Sequence, residues 1–153
     1  MQDLDLDEII NLLQTEREGF LAMCDDGQPY CLPFGYVFID DNVFISLFPK
    51  GRKWLYLQKN SQVSFSVFAW NDDRTKWSSV VIDGELTMVE DLEDIRHVVE
   101  ANMLKMNLDA EETYVEKRMR YYKEALKNPN GLRIMKLNAK HMGGKTMAAM
   151  AGN

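Results

Sequence analysis

The chain has 153 residues, 46% of them hydrophobic, which suffices for a sizeable core and predicts one domain over residues 1–153. The formal net charge of −6 argues against nucleic acid or an anionic membrane surface as the main partner, because both are bound chiefly through excess Lys and Arg. The apolar runs are too short to cross a bilayer, and the sequence shows no basic-then-apolar leader. Together with only two cysteines, this predicts a cytoplasmic protein with reduced thiols.

The first half of the chain predicts one short helix followed by strands. Apolar residues within Ile9–Leu13 recur at helical spacing after an acidic stretch that can cap a helix. The strand Phe20–Cys24 then leads into Asp25-Asp26-Gly27-Gln28, a hairpin signal of the Asp-Gly type. Further strands are predicted at Tyr30–Ile39, Val43–Phe48, Val63–Phe68 and Trp77–Val89, with a short helix over Arg52–Asn60. Five strands in succession suggest a small barrel, and Gly84 inside the fifth predicts a bulge or bend.

The second half predicts two helices and a closing strand. One apolar stripe consists of Leu92, Ile95, Val99, Met103 and Met106, and the other of Val115, Met119, Tyr122 and Leu126. Asp109 and Glu112 have the spacing of a capping box at the start of the second helix. We interpret both stripes as packing surfaces rather than ligand sites. A last strand is predicted over Leu132–Leu137, with a mobile tail from Met142, which completes an α+β fold.

The segment Lys50-Gly51-Arg52-Lys53 is the strongest local signal for a ligand site. Three cations at the start of a predicted helix oppose the positive end of the helix dipole, an arrangement that favours a bound anion. A phosphate would satisfy the free N–H groups of the first turn as well as the cations, and Gly51 would let the backbone approach it closely. The alternative is a basic turn exposed to solvent.

The order of several short motifs resembles the pyridoxamine 5'-phosphate oxidase-like family of FMN-binding split barrels. The resemblance runs from about Glu16 to Val89 and extends more weakly to Lys145. Its motifs are Gly27-Gln28-Pro29-Tyr30, Val43-Phe44-Ile45-Ser46, Gly51-Arg52-Lys53, Asn60-Ser61-Gln62-Val63-Ser64-Phe65 and Trp77-Ser78-Ser79-Val80-Val81-Ile82-Asp83-Gly84.

This resemblance implies a split β-barrel of about six strands with peripheral helices, forming a homodimer with two FMN molecules in clefts at the interface. Family members contact the flavin ring through backbone groups at the positions of Leu32, Pro33, Phe34 and Gly35. The resemblance also places Ser46 and Leu47 along the ribityl chain, Arg52 and Lys53 at the phosphate, and Ser79 within reach of the cofactor. Lys50 is added to the predicted phosphate site from its charge alone.

The sequence departs from the true oxidase at two places. Leu32 stands where that enzyme has a phosphate-binding arginine, and the Trp and Arg-Leu-Ala-Pro substrate motif is missing from the C-terminal segment. The small flavin reductases, including the nitroimidazole-resistance type, are therefore the better comparison. That subgroup often has a His near the end of the third strand, where this chain has Phe48-Pro49.

The leading functional prediction is an oxidoreductase that passes electrons from a reduced nicotinamide or similar donor through FMN to a small molecule. A non-catalytic flavin carrier or redox sensor is an alternative, as is a barrel that binds haem, through His141, or a deazaflavin. No catalytic residue is assigned, and no metal site is expected from two scattered His and two Cys. Trp77 is placed toward the cleft. His141–Lys145 is expected either to fold over the flavin or to fray.

Overall fold

The computed structural model describes residues 1–108 and 112–149, and the strands in these ranges form one antiparallel sheet. In chain order the strands are β1 (Gln2–Asp3), β2 (Glu18–Asp25), β3 (Gln28–Gly35), β4 (Val37–Ile39), β5 (Asn42–Leu47), β6 (Gln62–Trp70), β7 (Lys76–Val89) and β8 (Arg133–Ala148). The helices are α1 (Leu6–Thr15), α2 (Gly51–Lys59), α3 (Leu92–Lys105) and α4 (Glu112–Leu126). The predicted cap at Asp109 lies outside the described residues. In the described part of the chain, no helix has the length and apolar character to cross a membrane.

The sheet is curled into a barrel that is open along one line. Its strand order is β3-β2-β6-β7-β8-β5-β4, with β1 added beside the end of β8. The edge strands β3 and β4 are consecutive in the chain, so the two edges meet where β3 ends, and β3 also contacts β5. We call the line between β3 and the β4–β5 pair the seam. This architecture confirms the predicted α+β split barrel.

The barrel interior is filled by alternate residues of each strand. Phe65 of β6 and Val80 of β7 are almost fully buried there, and Leu13 of α1 closes one end. The Tyr36 hydroxyl donates a hydrogen bond of 2.7 Å to the Leu13 carbonyl, and its ring meets Phe65 edge-on with centroids 5.3 Å apart. Helix α1 is therefore fixed to the barrel next to the seam.

A second core lies between the outside of the barrel and the helix pair. Phe44 and Ile134 of the sheet pack with Ile95 and Val99 of α3 and with Met119 of α4. The predicted packing role of both helical stripes is confirmed for these buried members. The helix pair thus covers the outside of β4, β5 and β8, beside the seam.

The predicted second strand, Tyr30–Ile39, is divided into β3 and β4. The break falls at Tyr36, whose backbone N–H donates to the Arg17 carbonyl at 3.1 Å. The side chain of Tyr36 enters the core while the chain crosses the seam. The bulge expected at Gly84 is confirmed, because the β7–β8 register shifts between Asp83 and Gly84.

The prediction of a mobile tail from Met142 is wrong as far as Ala148. Strand β8 continues to Ala148 and pairs with β7 throughout, so His141–Lys145 neither frays nor forms a flap over a ligand. Gly144 allows close packing, since a Cβ atom there would lie 2.8 Å from Leu4 Cδ1. Thr146 is buried and donates a hydrogen bond to the Trp77 carbonyl at 2.8 Å.

Candidate functional site

The basic turn at the start of α2 has a free helix N-terminus. Gly51 has a φ of 78°, in the left-handed region that favours glycine. Lys50 occupies the N-cap position without a capping hydrogen bond from its side chain, and the first turn contains no acidic residue. The first N–H groups of a helix have no partner within the helix, so this turn presents backbone donors beside three cations.

Arg52 is held against strand β3 by aromatic rings. Its guanidinium carbon lies 4.0 Å from the ring centroid of Tyr30 and 5.2 Å from that of Tyr56. Nη2 also donates a hydrogen bond of 3.2 Å to the Tyr56 hydroxyl. Arg52 therefore connects α2 with β3, and no carboxylate among the described residues pairs with it.

The two lysines of the turn also lack a carboxylate partner within the described residues. Lys53 Nζ donates to the Lys50 carbonyl at 3.3 Å, and Lys50 Nζ lies 5.2 Å from the Phe48 ring centroid. Three cations without a described carboxylate partner thus concentrate positive charge at one helix start in a chain that is acidic overall.

A cavity of about 250 Å³ lies at the end of the seam, between β3–β5 and the α3–α4 pair. Both apolar and polar residues line it. The apolar lining consists of Phe34, Val37, Phe44, Val98 and Val99; the remaining lining residues are Gly35, Tyr36, Ser46, Asn102, Tyr114, Arg118 and Tyr122. We call this cavity the seam pocket.

Hydrogen bonds connect the polar groups of the seam pocket. The Tyr122 hydroxyl lies 3.3 Å from Ser46 Oγ and accepts a bond of 3.4 Å from Arg118 Nη2. Asn102 Nδ2 donates to the Tyr114 hydroxyl at 3.5 Å. The contact between Ser46 and Tyr122 ties β5 to α4, so side chains from the sheet and from the helix pair meet in the pocket wall.

Lys105 and Tyr36 form a half-buried pair beside the pocket. Lys105 Nζ donates to the Tyr36 carbonyl at 3.0 Å and lies 4.0 Å from the Tyr36 ring centroid. Burial lowers the pKa of Lys105 from 10.5 to about 8, although the charge of Glu18 acts in the opposite direction. Burial, reinforced by Glu16 and Glu18, raises the pKa of Tyr36, so this hydroxyl stays protonated.

The structure brings six of the predicted cofactor residues close to the seam. Phe34, Gly35 and Ser46 line the seam pocket together. Lys50, Arg52 and Lys53 follow Ser46 in the chain at the start of α2, and Arg52 contacts Tyr30 of β3. The predicted phosphate site and the predicted ring-contacting strand are therefore neighbours.

The other predicted residues are placed differently. Leu32 packs inward, which leaves its backbone on the edge strand β3, and Leu47 is only 2% exposed in the core. Pro33 and Ser79 lie on the outer face of the sheet, where their β-sheet partners are Phe20 and Phe68. Ser79 does not line the seam pocket.

Trp77 and the histidines also lie away from the seam pocket. Trp77 lies on the outer face with its ring centroid 5.8 Å from that of Phe68. His141 is exposed opposite Asp83 in β7, and His97 is exposed on α3. The described residues contain no cluster of three or more potential metal ligands.

Sequence reasoning missed the four polar residues that α3 and α4 contribute to the pocket, which are Asn102, Tyr114, Arg118 and Tyr122. The helical periodicity places Tyr122 in a packing stripe and gives no sign of its role in the pocket. The available signal was the spacing of Arg118 and Tyr122, one turn apart and next to the buried Met119. A guanidinium beside an apolar stripe indicates a polar site at the border of a core.

Large apolar side chains are exposed together on the outer face of the sheet. Phe20, Phe68, Trp70 and Val81 are 54%, 52%, 45% and 42% exposed. The strand register places Phe20, Ser66 and Val81 in one row across β2, β6 and β7. Contiguous apolar patches of this kind mark interaction surfaces. We use the name outer face for this exposed outer side of the sheet, on β2, β3, β6 and β7.

Comparisons with known proteins agree with this geometry. Among curated proteins none matches the sequence. An FAD-binding protein from Mesorhizobium loti has 25% identity and a TM-score of 0.67, over 96% of this chain and 98% of that chain. The FAD-binding protein from Mycobacterium smegmatis has 16% identity and a TM-score of 0.65, over 97% and 100%. A NimC/NimA family protein from Clostridium acetobutylicum has 16% identity and a TM-score of 0.56, over 97% and 87%.

The two matches at 16% identity establish similarity of fold alone. The family evidence comes from the sequence, in which residues 5–134 match the family described as pyridoxamine 5'-phosphate oxidase. That range contains the whole seam, the basic turn and the helix pair. The chain therefore belongs to the pyridoxamine 5'-phosphate oxidase family.

Proposed function

We propose that this protein is a homodimeric flavoprotein that binds FMN at the basic turn and along the seam and uses it to reduce a small molecule. The observation that carries the proposal is the group of three cations at the start of α2, which lack carboxylate partners among the described residues and lie beside the edge strand β3 through the contact of Arg52 with Tyr30. Family membership and the similarity to an FAD-binding protein at 25% identity support a flavin.

The residues of the basic turn fit a terminal phosphate. A phosphate monoester at the start of α2 would accept hydrogen bonds from the free N–H groups and from Arg52, and Lys50 and Lys53 would balance its charge. Tyr30 and Tyr56 already orient the Arg52 guanidinium, so little side-chain freedom is lost on binding. One compact cationic cluster favours FMN, which ends in a single phosphate, over a dinucleotide.

The flavin ring would lie along the seam rather than wholly inside the pocket. Drug-sized ligands fill clefts of roughly 300–1,000 Å³, and the seam pocket has about 250 Å³. Strand β3 is at the sheet edge, so its outward backbone N–H and C=O groups at Leu32–Gly35 are available to the ring. When bound, the flavin supplies hydride or electron transfer, and the protein positions it.

The outer face is the surface proposed for the second subunit. Burial of Phe20, Phe68 and Val81 against another copy would remove apolar area from water and stabilise a dimer. Pro33 and Ser79 lie on the same face, so a second subunit would bring these predicted cofactor residues to an interface cleft. The exposed free thiols of Cys24 and Cys31 suit the reducing cytoplasm, where we place the protein.

Flavin retention tests the cofactor assignment. We expect purified protein mixed with equal amounts of FMN and FAD to keep the visible absorption of flavin after gel filtration, and the flavin released on denaturation to be FMN. Arg52→Ala/Lys53→Ala should lose this absorption. Lys59→Ala, on the same helix but at its other end beside Asp25, is the matched control and should keep it. Retention of FAD in place of FMN would contradict the FMN assignment.

Anaerobic reduction tests the proposed reaction. NADH or NADPH should bleach the bound flavin, and a nitroimidazole or a quinone should restore its absorption. Failure of both donors to bleach a fully loaded protein would contradict the oxidoreductase and leave a flavin carrier or sensor.

A further inference from the structure

We propose that Arg118 binds the carboxylate of a small organic acid with a flat apolar body, and that the seam pocket holds this acid as a second ligand next to the flavin. Only the position of this acid beside a flavin rests on the proposed function. The pocket and Arg118 belong to this chain alone, so acid binding can be tested separately from flavin binding.

Arg118 is a cation without an acidic partner in the described part of the chain. Two carboxylates of α4 whose contacts are described are engaged elsewhere: Glu116 pairs with Arg96 at 3.1 Å and Glu124 with Lys127 at 3.3 Å. A half-buried guanidinium is costly unless an anion or several acceptors satisfy it. The pocket therefore contains an unneutralised positive charge at its wall.

Aromatic rings orient this guanidinium and leave most of its donors free. Its carbon lies 5.2 Å from the ring centroids of Tyr121 and Tyr122, and one N–H group reaches the Tyr122 hydroxyl at 3.4 Å. A guanidinium carries five N–H donors in a fixed fork that matches both oxygens of a carboxylate. The described contacts use one of them, at a long distance.

The rest of the pocket suits a flat apolar body. Phe34, Phe44 and Val99 line the side nearest the two cores, and Asn102 and Ser46 add polar groups beside Arg118. A cavity of about 250 Å³ excludes drug-sized molecules but accepts one aromatic ring with a short acidic substituent. Charge and shape together specify a small aromatic or conjugated acid.

The position of the pocket explains why such an acid would matter. Phe34, Gly35 and Ser46 belong both to the pocket lining and to the residues predicted to contact the flavin. An acid held by Arg118 would therefore lie against the same strand ends as the flavin. Arg118 is a ligand-positioning residue in this arrangement, since it holds the carboxylate of the acid at the pocket wall.

Calorimetric titration of the FMN-loaded protein with sodium benzoate, and separately with neutral benzamide, tests the inference. We expect benzoate to bind with a Kd on the order of 1 mM or lower and benzamide to bind at least about tenfold more weakly. Arg118→Gln should weaken benzoate by at least about tenfold, because a charged hydrogen-bonded pair is lost. Arg118→Lys should restore part of the affinity.

Arg120→Gln is the matched control, because it removes the same charge from an exposed position of α4 that does not line the pocket. It should bind benzoate as the unaltered protein does. A circular dichroism melt of each variant verifies that the helix pair is intact.

Equal binding of benzoate and benzamide, equal loss in Arg118→Gln and Arg120→Gln, or no benzoate binding at about 10 mM would overturn the proposal. Failure of the proposed function has a different signature. A protein that retains no flavin but binds benzoate through Arg118 would refute the flavin site and support the acid site.

Discussion

Arg133 and Lys105 are both withdrawn from solvent, and their environments differ. Arg133 is 7% exposed and donates to the carbonyls of Ala125 at 2.6 Å, Asn128 at 2.8 Å and Gly131 at 2.9 Å. It thus satisfies the end of α4 and the turn that follows. Lys105 has one carbonyl and one ring as partners, which leaves its ammonium incompletely solvated.

Arg133→Leu should lower the free energy of unfolding by roughly 3 kcal/mol, because several buried carbonyls lose their donor at once. Urea denaturation measures the change. Lys136→Leu, on the same strand but without these bonds, should change stability by less than about 1 kcal/mol. Equal effects of the two substitutions would mean that Arg133 does not hold the end of α4.

The lowered pKa of Lys105 predicts a pH dependence of stability. Between the native value of about 8 and the ordinary value of 10.5, the unfolded chain binds more protons than the native one. Stability should therefore rise with pH across that window, and the contribution should be constant below it. The effect is small, since the ammonium is only half-buried.

Comparison of the urea unfolding free energies at about pH 7.5 and 9.5 tests this dependence. The gain should be larger in the unaltered protein than in Lys105→Met. Identical pH dependence in both proteins would mean that burial does not lower the pKa of Lys105 in the native protein.

At the scale of single elements, the adjacent glycines of β8 show why its length was not predictable from sequence. Gly143 and Gly144 resemble a flexible tail, yet both are paired with β7. The reason is tertiary: the segment from Leu4 to Ile9, which leads into α1, lies so close to β8 that a side chain at Gly144 would meet Leu4 and Ile9. Composition cannot distinguish a glycine kept for close packing from one kept for mobility.

Gly144→Ala should destabilise the protein by about 1–3 kcal/mol, because the added methyl group forces α1 away from β8. Gly143→Ala is the control, since the nearest atom to its new Cβ is His141 Cε1 at 3.6 Å, an ordinary contact. Thermal unfolding of both variants measures the difference. A tolerated Gly144→Ala would show that α1 is loosely packed.

The elements of the candidate site were predictable to different degrees. The basic turn is local in sequence, so its charges and Gly51 identified it directly. Ser46 and Phe34 came from the family resemblance and do line the pocket. Arg118 and Asn102 were missed because their contribution depends on how α3 and α4 pack on the barrel. No pattern within either helix encodes that packing.

At the scale of the whole molecule, the outer face carries the prediction of a homodimer. Phe68→Glu/Val81→Glu places two charges among the exposed apolar residues of the outer face and should give a monomer by sedimentation velocity, whereas the unaltered protein should sediment as a dimer. Leu55→Glu is the control, because Leu55 is 62% exposed but lies on α2. A monomeric unaltered protein would refute the interface.

The proposed cofactor site depends on recognition of the FMN phosphate by the start of α2. Fluorescence titration of the flavin-free protein with FMN and with riboflavin, which lacks the phosphate, tests it most directly. FMN should bind at least about a hundredfold more tightly than riboflavin, and Arg52→Ala/Lys53→Ala should reduce that ratio to near one while Lys59→Ala preserves it. Equal affinity of the unaltered protein for FMN and riboflavin would mean that the start of α2 does not bind the phosphate.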